Sequence, residues 1–356
     1  MFLFESSFVR RASAPVIVVS LFALAAASSV VAQAAGDELA RDALARPSGS
    51  TLSYGTYLGG SGLYENLTSV ATDAAGNVFV TGVTDGRVPV TEGAFQPEPP
   101  GGGDAFVAKL DPAGAPVWAT YVGGTHGDVA NDVAVGPDGT VYVAGTTLSQ
   151  DFPTTPGALQ REFRGQNTGC DPHCYGDAFV TRLSSDGSTL EYSTYLGGSD
   201  ADGASGVAIT ATGVAIVAGE TSSADFPASQ GSFDPTYNVP TCFDMCEADV
   251  FVAELNPAGT RLLHATYLGG TSWDSPADVA LDAGGNIYVA GSSRSTDLPT
   301  TPDSYQRAKN GNGDFDFNGF IAAFEGDLAA ARYVTYLGRR SEEHVSGVTV
   351  DPGGRA

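Results

Sequence analysis

Basic residues are scarce in this sequence: 17 lysines and arginines stand against 41 aspartates and glutamates, a formal charge of −24 over 356 residues. So acidic a surface repels nucleic acid and anionic lipid, which excludes both as partners and favours divalent cations. The residues of enzyme chemistry are also few. His126, His173, His264 and His344 are the only histidines, and no G-x-S-x-G elbow, H-E-x-x-H pair or phosphate-cradling P-loop occurs. Trp118 and Trp273 are the only tryptophans, too few for a carbohydrate platform of stacked indoles. Helical periodicity is missing throughout, and charged residues make up only 16 % of the chain. With 42 % hydrophobic residues, 46 glycines and 20 prolines, the composition suits neither a helical protein nor an acidic disordered tail.

The one long apolar run is at the N-terminus. Arg10 and Arg11 precede VIVVSLFALAAASSVVA (16–32), and Ala32-Gln33-Ala34 has the form of a cleavage site, so residues 1–34 read as a signal peptide. The residues after the arginine pair match the twin-arginine signal poorly, which favours general secretion. The run is also at the bottom of the spanning range, so no membrane span is expected once the signal is removed. Its removal takes Glu5, Arg10 and Arg11, leaving 40 acids against 15 bases, a formal charge of −25. Residues 35–50 read as a linker, and the expected location is secreted or at the cell surface.

The rest of the chain is repetitive. TYLGG at 56–60 returns as TYVGG (120–124), TYLGG (194–198 and 266–270) and TYLGR (335–339). Three more anchors recur with it: ALDAGGNIYVAG (280–291), FPTTPGALQ (152–160) and DAFVAKL (104–110) each have counterparts in the other repeats. TYLGG and its lead-in read as a strand ended by glycines, the second anchor as a β-hairpin, and DAFVAKL as a fourth strand. Four strands per repeat make one blade of a β-propeller, with a long loop between the third and fourth. The expectation is an all-β propeller over 51–356, with four complete repeats and a partial fifth. A fifth copy that stops within its hairpin predicts a piece of a longer propeller; the alternative is a small closed one in which the fifth repeat completes the first blade.

The four anchors together resemble the bacterial seven-bladed β-propeller repeat known as SBBP. The resemblance covers 51–356. It implies an exported or cell-surface repeat protein and leaves the biochemical role undefined.

Within this frame the candidate sites are few. An acid follows each tyrosine anchor by seven residues at Asp128, Asp202, Asp274 and Glu343, with Glu65 displaced by one. Equivalent positions in successive blades predict an arc of rim carboxylates able to hold a cation or meet a basic partner; alternatively these acids bond turn amides. Asp104, Asp177 and Asp249 open DAFVAKL and its counterparts, and such regular recurrence suggests a structural role. His126 and His344 fall in equivalent loops. Cys170/Cys174 and Cys242/Cys246 sit at matching positions, which in an exported chain predicts two local disulfides. The rival is a four-thiolate zinc site with His173 nearby, which the C-x3-C spacing disfavours.

Residues 314–325, DFDFNGFIAAFE, match the twelve-residue calcium loop position for position. The preceding residues include Pro302, Gly311 and Gly313, poor material for an EF-hand helix. Alignment with DAFVAKLD places Phe320 to Phe324 inside a strand. Glu325 then lies roughly 20 Å from Asn318 at about 3.3 Å per residue, too far to close around one ion. Asp314, Asp316 and Asn318 remain as a candidate calcium site. The expected function is a non-enzymatic binding or structural module for a protein or glycan ligand. The alternative is a propeller enzyme, of lyase or glycosidase type, that uses the rim carboxylates.

Overall fold

Each D-x-x-G-N-type turn folds around its aspartate. Asp282 accepts the amides of Gly284 and Asn286 at 2.8 and 2.9 Å, and Gly285 takes the left-handed conformation that the turn requires (φ 82°). Asp73 does the same for Ala75 and Asn77, at 3.0 and 2.9 Å. These turns close hairpins of apolar strands, and the computed structural model of the chain is built from them. It describes residues 18–20, 55–60, 62, 64–165, 176–239, 247–310, 316–339, 342–351 and 353–356. No helix occurs among these residues, so none is long and apolar enough to cross a membrane.

Strand β1 (Val18–Ser20), inside the expected export signal, pairs antiparallel with β2 (Gly55–Tyr57). Four four-stranded antiparallel sheets come after it. The first is β3 (Glu65–Thr72), β4 (Val78–Thr84), β5 (Asp104–Leu110) and β6 (Pro116–Val122). The second is β7 (Asp128–Val135), β8 (Val141–Thr147), β9 (Asp177–Leu183) and β10 (Leu190–Leu196). The third is β11 (Asp202–Ile209), β12 (Ala215–Thr221), β13 (Asp249–Leu255) and β14 (Leu262–Leu268). The fourth is β15 (Asp274–Leu281), β16 (Ile287–Ser293), β17 (Asn318–Phe324) and β18 (Ala331–Leu337).

The repeat is therefore phased differently from the sequence expectation. TYLGG is the last strand of a sheet, and the DAFVAKL strand is the third. The turn at 111–115 is the cause: Asp111 accepts the amides of Ala113 and Ala115 at 2.9 and 2.8 Å, which folds β6 straight back onto β5. The long loop then lies between the second and third strands. Its FPTTPGALQ part runs along the free side of the last strand, where the Tyr195 and Thr155 amides donate to the Gln160 and Ser193 carbonyls at 3.1 Å each. This cover protects an edge that would otherwise pair with other chains.

Sheets pack face to face through apolar clusters. Phe152 lies 4.5 Å from Phe179 and Phe226 lies 4.5 Å from Phe251, each pair joining the long loop to a third strand. The anchor tyrosines Tyr121, Tyr195, Tyr267 and Tyr336 are fully buried. Each hydroxyl pins the start of the long loop, as where Tyr195 donates to the Ser149 carbonyl at 2.7 Å and accepts the Phe152 amide at 3.2 Å. Near the C-terminus the Val348 amide donates to Asp278 at 3.0 Å, and the Tyr288 hydroxyl donates to the Gly354 carbonyl at 3.0 Å.

Candidate functional site

The two ends of the sheets differ in kind. Among the described residues one end carries only the tight turns at 73–77, 111–115 and their counterparts, whereas the other carries the glycine-rich exits of TYLGG and the long-loop segments 85–103, 148–165, 222–239 and 294–310. Exposed large apolar residues also lie at the loop-rich end: Tyr64 is 58 % and Leu148 40 % exposed.

The five acids expected as a rim arc sit at this end, but they do not form a rim. Asp128, Asp202 and Asp274 are buried, as is Glu65, because each begins the innermost strand of its sheet and turns inward. Asp128 accepts the Gly124 amide at 2.7 Å and the hydroxyls of Ser149, at 3.1 Å, and Thr147. Asp202 takes Gly198 and Ser223 at 2.7 and 2.9 Å, and Asp274 takes Gly270 and Ser295 at 2.8 and 2.7 Å. Glu65 accepts the Gly60 amide at 2.5 Å, and Glu343 accepts that of Arg339 at 3.0 Å. Burial pushes Asp128 and Asp274 up to about 6 and Asp202 to about 8, with the hydroxyl and amide donors pulling the other way. These carboxylates bind their own loops.

Asp104, Asp177 and Asp249 are buried at the starts of the third strands and hold the ends of the long loops. Asp177 accepts the Arg164 amide at 2.7 Å, and Asp249 that of Asn238 at 3.0 Å. Asn318 occupies the same position in the fourth sheet. With its amide oriented to suit its neighbours, it donates to the Asn310 carbonyl at 2.8 Å and accepts the Asn310 amide at 3.1 Å. Phe320 to Phe324 lie within β17, so the second half of the calcium-loop match is strand. Asp314 lies outside the described residues, as do Cys170, Cys174, Cys242, Cys246 and His173. Among the described residues no group of three or more His, Cys, Asp or Glu side chains is placed to hold a metal ion. His126 lies beside Thr125, and His344 packs on Phe317.

One constellation departs from the repeat. Glu220 occupies the position that is Thr146 in the second sheet and Ser292 in the fourth. Its carboxylate reaches the neighbouring sheet, where it accepts Trp273 Nε1–H at 3.3 Å and the Ser275 hydroxyl. Burial raises its pKa, against the pull of those two bonds. Beside them the Arg294 guanidinium lies 5.1 Å from the Trp273 ring and 4.3 Å from the Phe317 ring. The His344 ring is 4.8 Å from Phe317, and its Nδ1 is 3.1 Å from the Ser292 hydroxyl. Of this cluster, repeat periodicity singles out only His344. The signal for the others is present at positions where repeats disagree: Trp273 replaces Gly127 and Ala201, and Arg294 replaces Leu148 and Ser222.

Solved structures resemble the chain only distantly. A PL25 ulvan lyase, a polysaccharide lyase, is 11 % identical with a TM-score of 0.35, covering 79 % of this chain and 57 % of its own. The Synechocystis apocarotenoid oxygenase is 12 % identical with a TM-score of 0.33, covering 82 % of this chain and 64 % of its own. Sqt1 from Chaetomium thermophilum is 12 % identical with a TM-score of 0.26, over 82 and 78 % of the two chains. The chain thus spans less than two thirds of the length of the lyase and the oxygenase, and similarity at this level carries no argument about activity. No curated protein matches it. A β-propeller repeat profile does, at residues 117–153 and 265–299, each running from the last strand of one sheet through the first hairpin of the next. Residues 117–153 and 265–299 thus each match the SBBP β-propeller repeat, on a fold of four-stranded antiparallel sheets.

Proposed function

We propose that the protein is an exported, non-enzymatic binding module, at the cell surface or outside the cell, whose loop-rich end receives a protein or glycan ligand. One observation carries this reading: side chains that recur from repeat to repeat hold the fold, while one cluster of departures from the repeat lies at the loop-rich end. Glu220, Trp273, Arg294, Phe317 and His344 are those departures, and a rigid stack of sheets supports them. The enzyme reading needs Asp128, Asp202 and Asp274 as an accessible acid–base set, and each has its carboxylate bonded to its own loop. The test is a panel of soluble polysaccharides and a displayed random-peptide library offered to the intact chain. Recovery of a bound ligand unaltered supports the module. New reducing ends or cleaved peptide overturn it.

A further inference from the structure

A backbone bond recurs at each of the three sheet junctions and once more between the fourth sheet and the C-terminal segment. The amide of the acid that follows each TYLGG-type exit donates to the carbonyl just before a neighbouring third strand: Asp128 to Gly103 at 2.8 Å, Asp202 to Gly176 at 3.0 Å, Asp274 to Ala248 at 2.7 Å and Glu343 to Phe317 at 3.0 Å. This bond brings two acids together at each of the three sheet junctions. At the third they are Asp249 and Asp274, both with no exposed surface. A β-carbon built on Gly269 would meet Asp249 Oδ1 and Asp274 Oδ2, each nearer than 3.0 Å, so the two oxygens flank a single point.

The two carboxyls are unequally served. Asp274 accepts the Gly270 amide and the Ser295 hydroxyl, with Ser293 beside it, donors suited to an anion. Among the described residues Asp249 accepts the Asn238 amide alone, against two donors for Asp274, and Oδ1 of each aspartate has no partner. The charges acting on Asp249 are Asp274, Asp234 and Asp297, all acids; on Asp274 it is Asp297. Two bare carboxylates so placed repel each other, and one proton between them removes the repulsion and supplies the bond that Asp249 Oδ1 lacks. The contact between the fourth sheet and the C-terminal segment shows what the position tolerates. There Asn318, a permanently neutral side chain of the same shape, stands where the three sheet junctions have aspartate, and it too lies beside its glycine, Gly338, opposite Glu343.

We propose that Asp249 and Asp274 share a single proton, held on Asp249, and so form an alkaline-sensitive latch between the third and fourth sheets. Burial first, then the neighbouring acids, raise Asp249 to about 8. Between the ordinary carboxylate value and about 8 the folded chain keeps a proton that the unfolded chain has released. Stability therefore declines as pH climbs through that window and levels off above it. Loss of the proton places two like charges at the junction and loosens it.

Infrared spectroscopy in D2O of the intact chain, with Asp249→Asn, Asp274→Asn and wild type titrated from pH 5 to pH 10, tests this. The expected result is a protonated-carboxyl band in the wild type at neutral pH that loses one residue's intensity in Asp249→Asn, with a shallower alkaline fall in melting temperature for that variant. Equal band intensity in wild type and a folded Asp249→Asn overturns the proposal. Thermal melts of the wild type at pH 8 with added calcium chloride are the second arm. No shift in midpoint agrees with a shared proton, whereas a midpoint raised by calcium and insensitive to it in Asp249→Asn means that the pair holds a cation instead.

Discussion

The Asp132 carboxylate accepts the Val207 amide at 2.7 Å across the junction between the second and third sheets. Its other oxygen takes the Ser69 hydroxyl from the first sheet at 2.5 Å and the Val133 amide at 2.8 Å. Asp278 repeats the arrangement two sheets on, accepting Val279 and Val348 at 2.7 and 3.0 Å. Between them Gly206 leaves room where a side chain would crowd Val279 and Asp278. One aspartate thus serves the innermost strands of neighbouring sheets.

Asp132→Ala leaves a hydroxyl and two amides without their acceptor. Each buried unsatisfied donor costs about 1–3 kcal/mol, so the variant should lose at least about 3 kcal/mol in urea unfolding. A loss below about 1 kcal/mol contradicts the bridging role.

Tyr195→Phe keeps the ring and removes the hydroxyl that joins Ser149 and Phe152. A loss of about 1–3 kcal/mol is expected from the same denaturation measurement. Tyr305, 87 % exposed, serves as the control, and Tyr305→Phe should be neutral within about 0.5 kcal/mol.

Two glycines separate steric need from backbone need. Gly285 has φ 82° and open space around it, so Gly285→Ala should cost about 1–2 kcal/mol from the left-handed conformation alone. Gly269 is closed in by the Asp249 and Asp274 carboxyls. Gly269→Ala must push one of them aside, and should cost about 3 kcal/mol or more. The reverse order in calorimetric midpoints would show that the carboxyl pair yields easily.

Asp128 and Asp177 are raised to about 6, and Asp202 to about 8, each chiefly by burial. Their folded-state values lie above the unfolded ones, so the folded chain holds extra protons between the two and its stability falls as pH rises through that range. Melting temperature should be higher near about pH 5.5 than near about pH 8.5. A midpoint that rises over this interval contradicts the burial of these acids as uncharged groups.

The fold was legible because the anchors repeat, and repeats of hairpin-forming sequence leave few architectures open. What escaped was the phase. TYLGG reads equally well as a first or a last strand until the Asp111 turn is seen to fold Pro116–Val122 back onto Asp104–Leu110. The acids misled for a related reason. Periodicity placed Asp128, Asp202 and Asp274 at one end of the sheets correctly, but it carries no information on which way a strand's first side chain turns, and all three turn inward. The Glu220 cluster was hidden by the habit of reading repeats for what they share. Its members lie far apart in sequence, and the packing of β12 against β15 brings Glu220 to Trp273 and Ser275.

Ligand capture at the loop-rich end tests the proposed function most directly. The intact chain, Trp273→Ala and Thr212→Ala are each offered to the immobilised polysaccharide panel and the displayed peptide library. Thr212 lies exposed in a tight turn at the opposite end. The predicted result is a ligand retained without chemical change by wild type and Thr212→Ala and lost by a folded Trp273→Ala. Binding that survives Trp273→Ala and fails with Thr212→Ala, or a ligand released as shortened product, contradicts it.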